Sequence, residues 1–382
     1  MNLTKLLGRA RAPGAAGARP RAVASPDIAG TIDRALNAAG LTQASGPGAN
    51  VRATIDRALA QAGLVSPQAT ADNAVVVPPA QAGTRDAAAS APAAGATGGE
   101  WLSRSFRSDA GTLGYKLYVP ARHDRDASTR TPLVVMLHGC TQSPDDFAAG
   151  TRMNQLADTH GFLVAYPAQT AKANGSKCWN WFRGGDQARG RGEPALIAGI
   201  AQQVAADYRI DPRRVFVAGL SAGAAMAVIL GRTYPEVFAA VGAHSGLPFA
   251  AAHDVASAFN AMKAGPAGRR TPPAGIAVPT IVFHGDADHT VAAGNGRAIV
   301  HDATASASHA TTEAGVVPGG RSYTREVFAD AAGQPRVELW TVQGAGHAWS
   351  GGSAQGTYTD PSGPDASAEM LRFFLQLPTG PH

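Results

Sequence analysis

From Trp101 onward the sequence predicts an α/β protein with a mainly parallel sheet flanked by helices. Two observations carry this expectation. Short apolar runs bounded by Gly, Pro or Asp alternate with longer helical stretches, and several of the runs are apolar throughout rather than at every second residue. Strands covered on both faces require that pattern. The runs fall at 115–119, 133–137, 162–166, 215–218, 238–241, 280–283 and 337–342, and the clearest helical stretches at 194–208 and 222–232. In sheets of this kind the chemistry gathers in loops beyond the C-terminal strand ends.

The chain has 382 residues, of which 45% are hydrophobic and 16% charged, enough to bury one large core. That core is expected in residues 100–382. Residues 1–99 differ: they are rich in Ala, Gly and Pro and contain a repeat, Thr-Ile-Asp-Arg-Ala-Leu at 31–36 and again at 54–59. Each copy reads as a short helix, with Thr31 or Thr54 as N-cap and Gly40 or Gly63 at its end. Helices shorter than about 12–15 residues are marginal alone in water, so these need a surface. That surface is either the rest of the chain or an external hydrophobic or anionic one. Residues 66–99 read as a linker.

The tail carries nine basic against five acidic side chains, which accounts for +4 of the net +5, so the main domain is nearly neutral. A nucleic-acid partner is not expected for it. The two cysteines, Cys140 and Cys178, have neither the number nor the spacing of a disulfide scaffold or a zinc site. No metal is expected. Arg9, Arg11 and Pro13 break the N-terminal apolar run before it reaches the length of an export signal, and no stretch is apolar enough to span a bilayer. The expected location is the cytoplasm, with secretion as the alternative.

The strongest chemical signal is Gly219-Leu-Ser221-Ala-Gly223, led in by an apolar strand and followed by an Ala-rich helix. In that context G-x-S-x-G is a nucleophile elbow, a strained turn that lifts a serine hydroxyl above the sheet at a helix N-terminus. A hydroxyl needs a base, and His347 is the expected one, because Gly344-Ala-Gly346 before it lets the loop after the last strand fold back over Ser221. The orienting acid comes between them in chain order. The 280–283 strand leads into Asp286 and Asp288. Asp288 is the expected partner of His347, and Asp286 the residue that fixes the turn. The backbone N–H groups of Ala222 and of Cys140, in the turn after the 133–137 strand, are the expected oxyanion donors. His138 and His284 read as hydrogen-bonded supports of their loops.

Six motifs in register carry a family resemblance: His138-Gly-Cys-Thr-Gln142, Cys178-Trp-Asn-Trp-Phe182, Arg189-Gly-Arg-Gly-Glu-Pro194, the Ser221 elbow, His284-Gly-Asp-Ala-Asp288 and Gly346-His-Ala-Trp-Ser-Gly-Gly352. Over about residues 101–376 the chain resembles the catalytic domain of the polyhydroxybutyrate depolymerase family of esterases, within the α/β-hydrolases. The resemblance implies hydrolysis of a carboxylic ester through Ser221, Asp288 and His347, without cofactor. It implies a hydroxyacid ester such as poly(3-hydroxybutyrate), with feruloyl or acetylxylan esters as the alternative and a non-catalytic granule-surface role as the remote one. It also sets Cys140 and Cys178 in loops at the rim of the site, close enough to be bridged. Trp179, Trp181 and Trp349 are the candidate aromatic contacts for the ester, with packing in the core as the alternative for each. The repeats in the tail would suit adsorption to a polyester granule.

Overall fold

The computed structural model describes residues 98–124, 130–265, 278–304 and 309–377. Both repeats and residues 1–97 of the expected tail lie outside the described residues, among which the first strand is β1 (Glu100–Ser108).

A ten-stranded sheet runs through the domain. Its centre is parallel: β4 (Leu163–Ala168), β3 (Thr131–Leu137), β5 (Ile210–Leu220), β6 (Ala240–His244), β7 (Thr280–Gly285) and β10 (Pro335–Val342), side by side in that order. Six of the seven apolar runs fall on these strands, and the seventh, 115–119, falls on β2 (Gly111–Val119) at the border. In β3, Leu133, Val135 and Leu137 point to one face, and Val134 and Met136 to the other. A strand alternates its side chains between faces, so a strand buried on both must be apolar throughout.

The first face is covered by α3 (Gly192–Asp207) and α4 (Ala222–Thr233), through residues such as Ile197, Val204, Met226 and Leu230. The second is covered by α1 (Pro144–Thr151), α2 (Met153–His160) and α7 (Ala366–Gln376), through Phe147, Met153, Met370 and Phe374. Two further helices, α5 (Val255–Ala264) and α6 (Gly294–Ala303), flank the loop after β7.

Both borders of the sheet are antiparallel: β1 and β2 (Gly111–Val119) beside β4, and β9 (Ser322–Ala329) and β8 (His309–Val316) beside β10. β1, β8 and β9 have no apolar signature because they are largely or partly exposed. Charge takes its place: Arg325 on β9 reaches Glu313 on β8 at 3.2 Å and the buried Glu338 on β10 at 2.9 Å, and Arg372 of α7 meets Glu338 from the other side at 2.7 Å.

Candidate active site

β5 ends at Leu220 and α4 begins at Ala222, so the whole reversal falls on Ser221, with φ 58° and ψ −118°. A side chain in that region is strained, and the strain persists because the surroundings enforce it. The two flanking glycines have no substitute. A Cβ at Gly219 would collide with the main chain of Gly223, and one at Gly223 with the carbonyls of Leu137 and His138. The Ser221 N–H donates to the carbonyl of His244 at 2.9 Å, which ties the elbow to the end of β6.

The loop after β7 brings Asp288 under His347. His347 donates from Nδ1 to Asp288 Oδ2 at 2.7 Å, and Asp288 Oδ1 accepts the N–H groups of Thr290 and Val291 at 2.9 Å each. Burial works against the Asp288 charge, but the bonds from His347 and Val291 outweigh it and hold its pKa down at about 2. Asp286 turns away and accepts the Gly344 N–H at 2.6 Å, so it braces the turn that leads to His347. Ser221, Asp288 and His347 thus follow the ends of β5, β7 and β10, all members of the parallel centre. Among the described residues neither Ser221 Oγ nor His347 Nε2 has a hydrogen-bond partner, and the two are not bonded to each other. Apo sites often show this looseness.

In the turn after β3 the N–H groups of Gly139, Thr141 and Gln142 are spent on Gln142 Oε1 at 2.9 Å, Ser176 O at 2.6 Å and Gly139 O at 3.4 Å. That of Cys140 has no acceptor among the described residues, and neither does that of Ala222 at the N-terminus of α4. Cys140 and Cys178 are joined as a disulfide, with Cα atoms 4.2 Å apart. Their loops are therefore pinned together, within the distance a bridge requires.

The tryptophans take the packed alternative. Trp179 and Trp349 are buried to 0% and 1% exposure and Trp181 to 5%, so none of the three offers a face to a ligand. Each is held by a specific contact. The Trp179 indole donates to the His138 carbonyl at 3.0 Å, Trp349 donates to Ser367 Oγ at 3.0 Å, and Trp181 packs edge-on against Phe182. The loop of Trp179 and Trp181 is drawn inward by Glu193, whose carboxylate accepts Asn180 N–H at 2.7 Å, Asn180 Nδ2 at 2.6 Å and the side chain of Gln169. Burial and the neighbouring Asp186 push the Glu193 pKa up to about 7, against three donors that favour its ionised form.

His138 belongs to the same network. It donates from Nδ1 to Gly139 O at 2.8 Å and accepts the Gln169 N–H at Nε2, 3.1 Å away, with its pKa lowered by burial to about 4. His284 donates from Nε2 to the Val291 carbonyl at 2.8 Å, on the loop that holds Asp288.

His244 carried no motif in the sequence and is central to the site. Its carbonyl holds Ser221, and its Nε2 accepts the N–H of Ser350 at 3.0 Å, three residues after His347. With Nε2 an acceptor, the proton is on Nδ1, 3.2 Å from Ser245 Oγ. The ring stacks between Phe283 and Trp349, with centroids 5.8 and 5.2 Å away. Burial, then the neighbouring His284 and His347, lower its pKa to about 3, so it stays neutral. A His-Ser step ending a short strand has no signature that separates it from an ordinary loop.

Among the described residues no group of His, Cys, Asp and Glu is arranged to hold a metal ion, and no helix is long and apolar enough to cross a membrane. A crevice lined by Val228, Arg232, Phe249 and Asp302 lies among none of these site residues.

Comparison with known proteins agrees with this architecture. A poly(3-hydroxyalkanoate) depolymerase C of Paucimonas lemoignei is 36% identical over 257 residues, covering 64% of this chain and 60% of that protein. Feruloyl esterase B of Neurospora crassa is 35% identical over 142 residues, covering 37% of this chain and 46% of that protein. The chain thus spans less than two thirds of the length of either relative. The structure of an acetyl xylan esterase from Aspergillus awamori superposes with a TM-score of 0.56 at 19% identity, over 72% of this chain and 99% of that one, and so shares the fold. The model of the family described as "Esterase PHB depolymerase" matches residues 113–311, more than half of the 382. The chain is therefore a member of the PHB depolymerase family of esterases, built on the α/β-hydrolase fold.

Proposed function

We propose that this protein hydrolyses carboxylic esters by two-step acyl transfer. The observation that carries the reading is the buried Asp288 carboxylate, 2.7 Å from Nδ1 of His347, which leaves the opposite ring nitrogen without a partner among the described residues, where the hydroxyl of the elbow serine also has none. Ser221 Oγ attacks the ester carbonyl and passes its proton to Nε2 of His347, the hydrogen bond between them forming as the substrate binds. Asp288 keeps Nε2 free to accept and stabilises the imidazolium that forms. The N–H groups of Cys140 and Ala222 take the charge of the tetrahedral oxygen, since both face no competing acceptor. His347 then returns the proton to the leaving alkoxide. Water, deprotonated by the same nitrogen, attacks the acyl-enzyme, and the ester bond to Ser221 breaks as Oγ takes that proton back from His347 and the carboxylic acid leaves.

The substrate reading is a polyester of 3-hydroxybutyrate or a related hydroxyacid ester, supported by the likeness to depolymerase C. A feruloyl or acetylxylan ester is the second reading, supported by the likeness to feruloyl esterase B. Hydrolysis of hydroxybutyrate oligomers, a polymer emulsion, hydroxycinnamoyl sugars and acetylated xylan, each with wild type and Ser221→Ala, separates these. Turnover of oligomers alone supports the first reading, and turnover of the sugar esters alone replaces it with the second.

Adsorption to granules through residues 1–99 is part of the proposal. A chain beginning at Gly98 should keep full activity on soluble esters and lose it on granules, because adsorption raises local substrate concentration without touching the chemical step. Equal granule activity with and without the tail removes this element. The cytoplasmic location is tested by counting thiols on freshly purified protein: two reactive thiols favour a reducing compartment, and none an oxidising one.

A further inference from the structure

With the three tryptophans buried, the rim of the site lacks the aromatic surface expected of it, and one exposed aromatic stands there instead. Tyr358 is 47% exposed. Its carbonyl accepts the N–H of Trp349 at 2.7 Å, which anchors it to the loop that carries His347. Its hydroxyl lies 3.2 Å from Oγ1 of Thr141, next to Cys140 in the oxyanion turn. Thr141 Oγ1 already donates to the Cys140 carbonyl at 2.6 Å, so the proton of the second bond is tyrosine's. A relay results: Tyr358 donates to Thr141, and Thr141 donates to the peptide of Cys140.

The neighbouring residue reinforces the stitch. Thr357 gives its N–H and its hydroxyl to Asp146, and its carbonyl accepts from Gln142, the last residue of the oxyanion turn. Tyr358 and Thr141 both hold positive φ, 53° and 67°, without being glycine. Two strained residues that meet at one hydrogen bond mark a position the surroundings over-determine. A tyrosine present only to face solvent needs neither anchor. A ring fixed at both ends, by contrast, offers contact area to a ligand at little cost in side-chain entropy.

We propose that Tyr358 is a specificity-determining residue of the ester site: its ring is the wall on which the apolar chain of the substrate lies, and its hydroxyl, through Thr141 and the Cys140 carbonyl, steadies the turn that presents the Cys140 N–H. The ligand class is an ester with an aliphatic chain long enough to reach past the reacting carbonyl, as in hydroxyacid oligomers or medium-chain acyl esters. The inference rests on Ser221 as nucleophile and Cys140 as oxyanion donor.

The test is steady-state hydrolysis of p-nitrophenyl acetate, butyrate and octanoate by wild type, Tyr358→Phe, Tyr358→Ala and Ser221→Ala. Phe keeps the ring and removes the tether. It should lower kcat by about tenfold on every ester and leave KM unchanged, a smaller loss than deleting an oxyanion donor outright. Ala removes both, and should show the same kcat loss together with a KM raised by about tenfold for octanoate but not for acetate, the scale on which apolar contacts discriminate. Tyr358→Leu, which retains bulk without a ring, serves the same purpose if the Ala variant fails to fold. A KM for octanoate that moves no more than that for acetate overturns the contact. A wild-type kcat in Tyr358→Phe overturns the tether. Activity retained in Ser221→Ala overturns the underlying mechanism instead, so the two failures are distinguishable.

Discussion

The turn that carries His138 and the loop that carries His347 both hold a buried or half-buried imidazole beside a strand end, yet the two rings are used in opposite ways. At His138 the main chain takes both nitrogens, one donating to Gly139 O and one accepting from Gln169 N. At His347 a carboxylate takes one nitrogen, and the other is left without a protein partner. His244 follows the first pattern, with both nitrogens spent on Ser245 and Ser350. Burial and a nearby glycine do not separate a supporting histidine from one able to move a proton. The valence left open on the ring does.

The largest test of that contrast is direct. Ser221→Ala or His347→Ala should reduce ester turnover by about 10⁴-fold or more, because members of such a unit act together. His138→Gln should lower Tm while kcat stays within about tenfold. A comparable kcat loss at His138 would break the distinction.

Within the His347 loop the same logic ranks the two carboxylates. Asp288→Asn disturbs the tautomer and charge of His347 and should cost about 10³–10⁴ in kcat. Asp286→Asn keeps an oxygen for the Gly344 N–H and should cost less than about tenfold. The reverse order, read from kcat on a p-nitrophenyl ester, would move the orienting role to Asp286.

His244 sharpens the contrast from the supporting side. His244→Leu leaves the Ser350 N–H buried without an acceptor. It should destabilise by about 1–3 kcal/mol and lower kcat by about 10²-fold through displacement of the loop, with KM little changed. His244→Gln, which offers a carbonyl in the same direction, should recover part of the kcat. Equal kcat in the two variants would show that the acceptor at this position does not matter.

The smallest effect expected is on stability in acid. Asp288 has a folded pKa of about 2, below the roughly 3.9 of an unfolded aspartate. Its contribution is therefore fully present above about pH 4 and is lost as the pH falls toward 2. Between those values the wild type should lose stability more steeply than Asp288→Asn, measured by urea midpoint against pH. Parallel curves would mean that the charge of Asp288 adds nothing to folding.

The sequence by itself determined the parallel centre of the sheet and the places of Ser221, Asp288 and His347 at its strand ends. Each of these is written in short-range chemistry. An unbroken apolar run cannot serve a half-exposed strand, and glycines at 219 and 223 are the residues that let the main chain pack as closely as the elbow requires. Only the tertiary structure decided which aromatic residues are exposed. The tryptophans carry the same side chain whether a groove or a core receives them, and Glu193 and Gln169, on either side of it in the sequence, draw the loop of Trp179 and Trp181 inward through Asn180 and Cys178. Of the antiparallel borders only β2 was legible, from its apolar run; β8 was not, since it pairs through its backbone and through Glu313–Arg325 rather than through an apolar face. His244 and Tyr358 belong with them. What distinguishes them is where their second hydrogen bond ends, at Ser350 and at Thr141, more than a hundred residues away, and no local pattern encodes a partner at that distance.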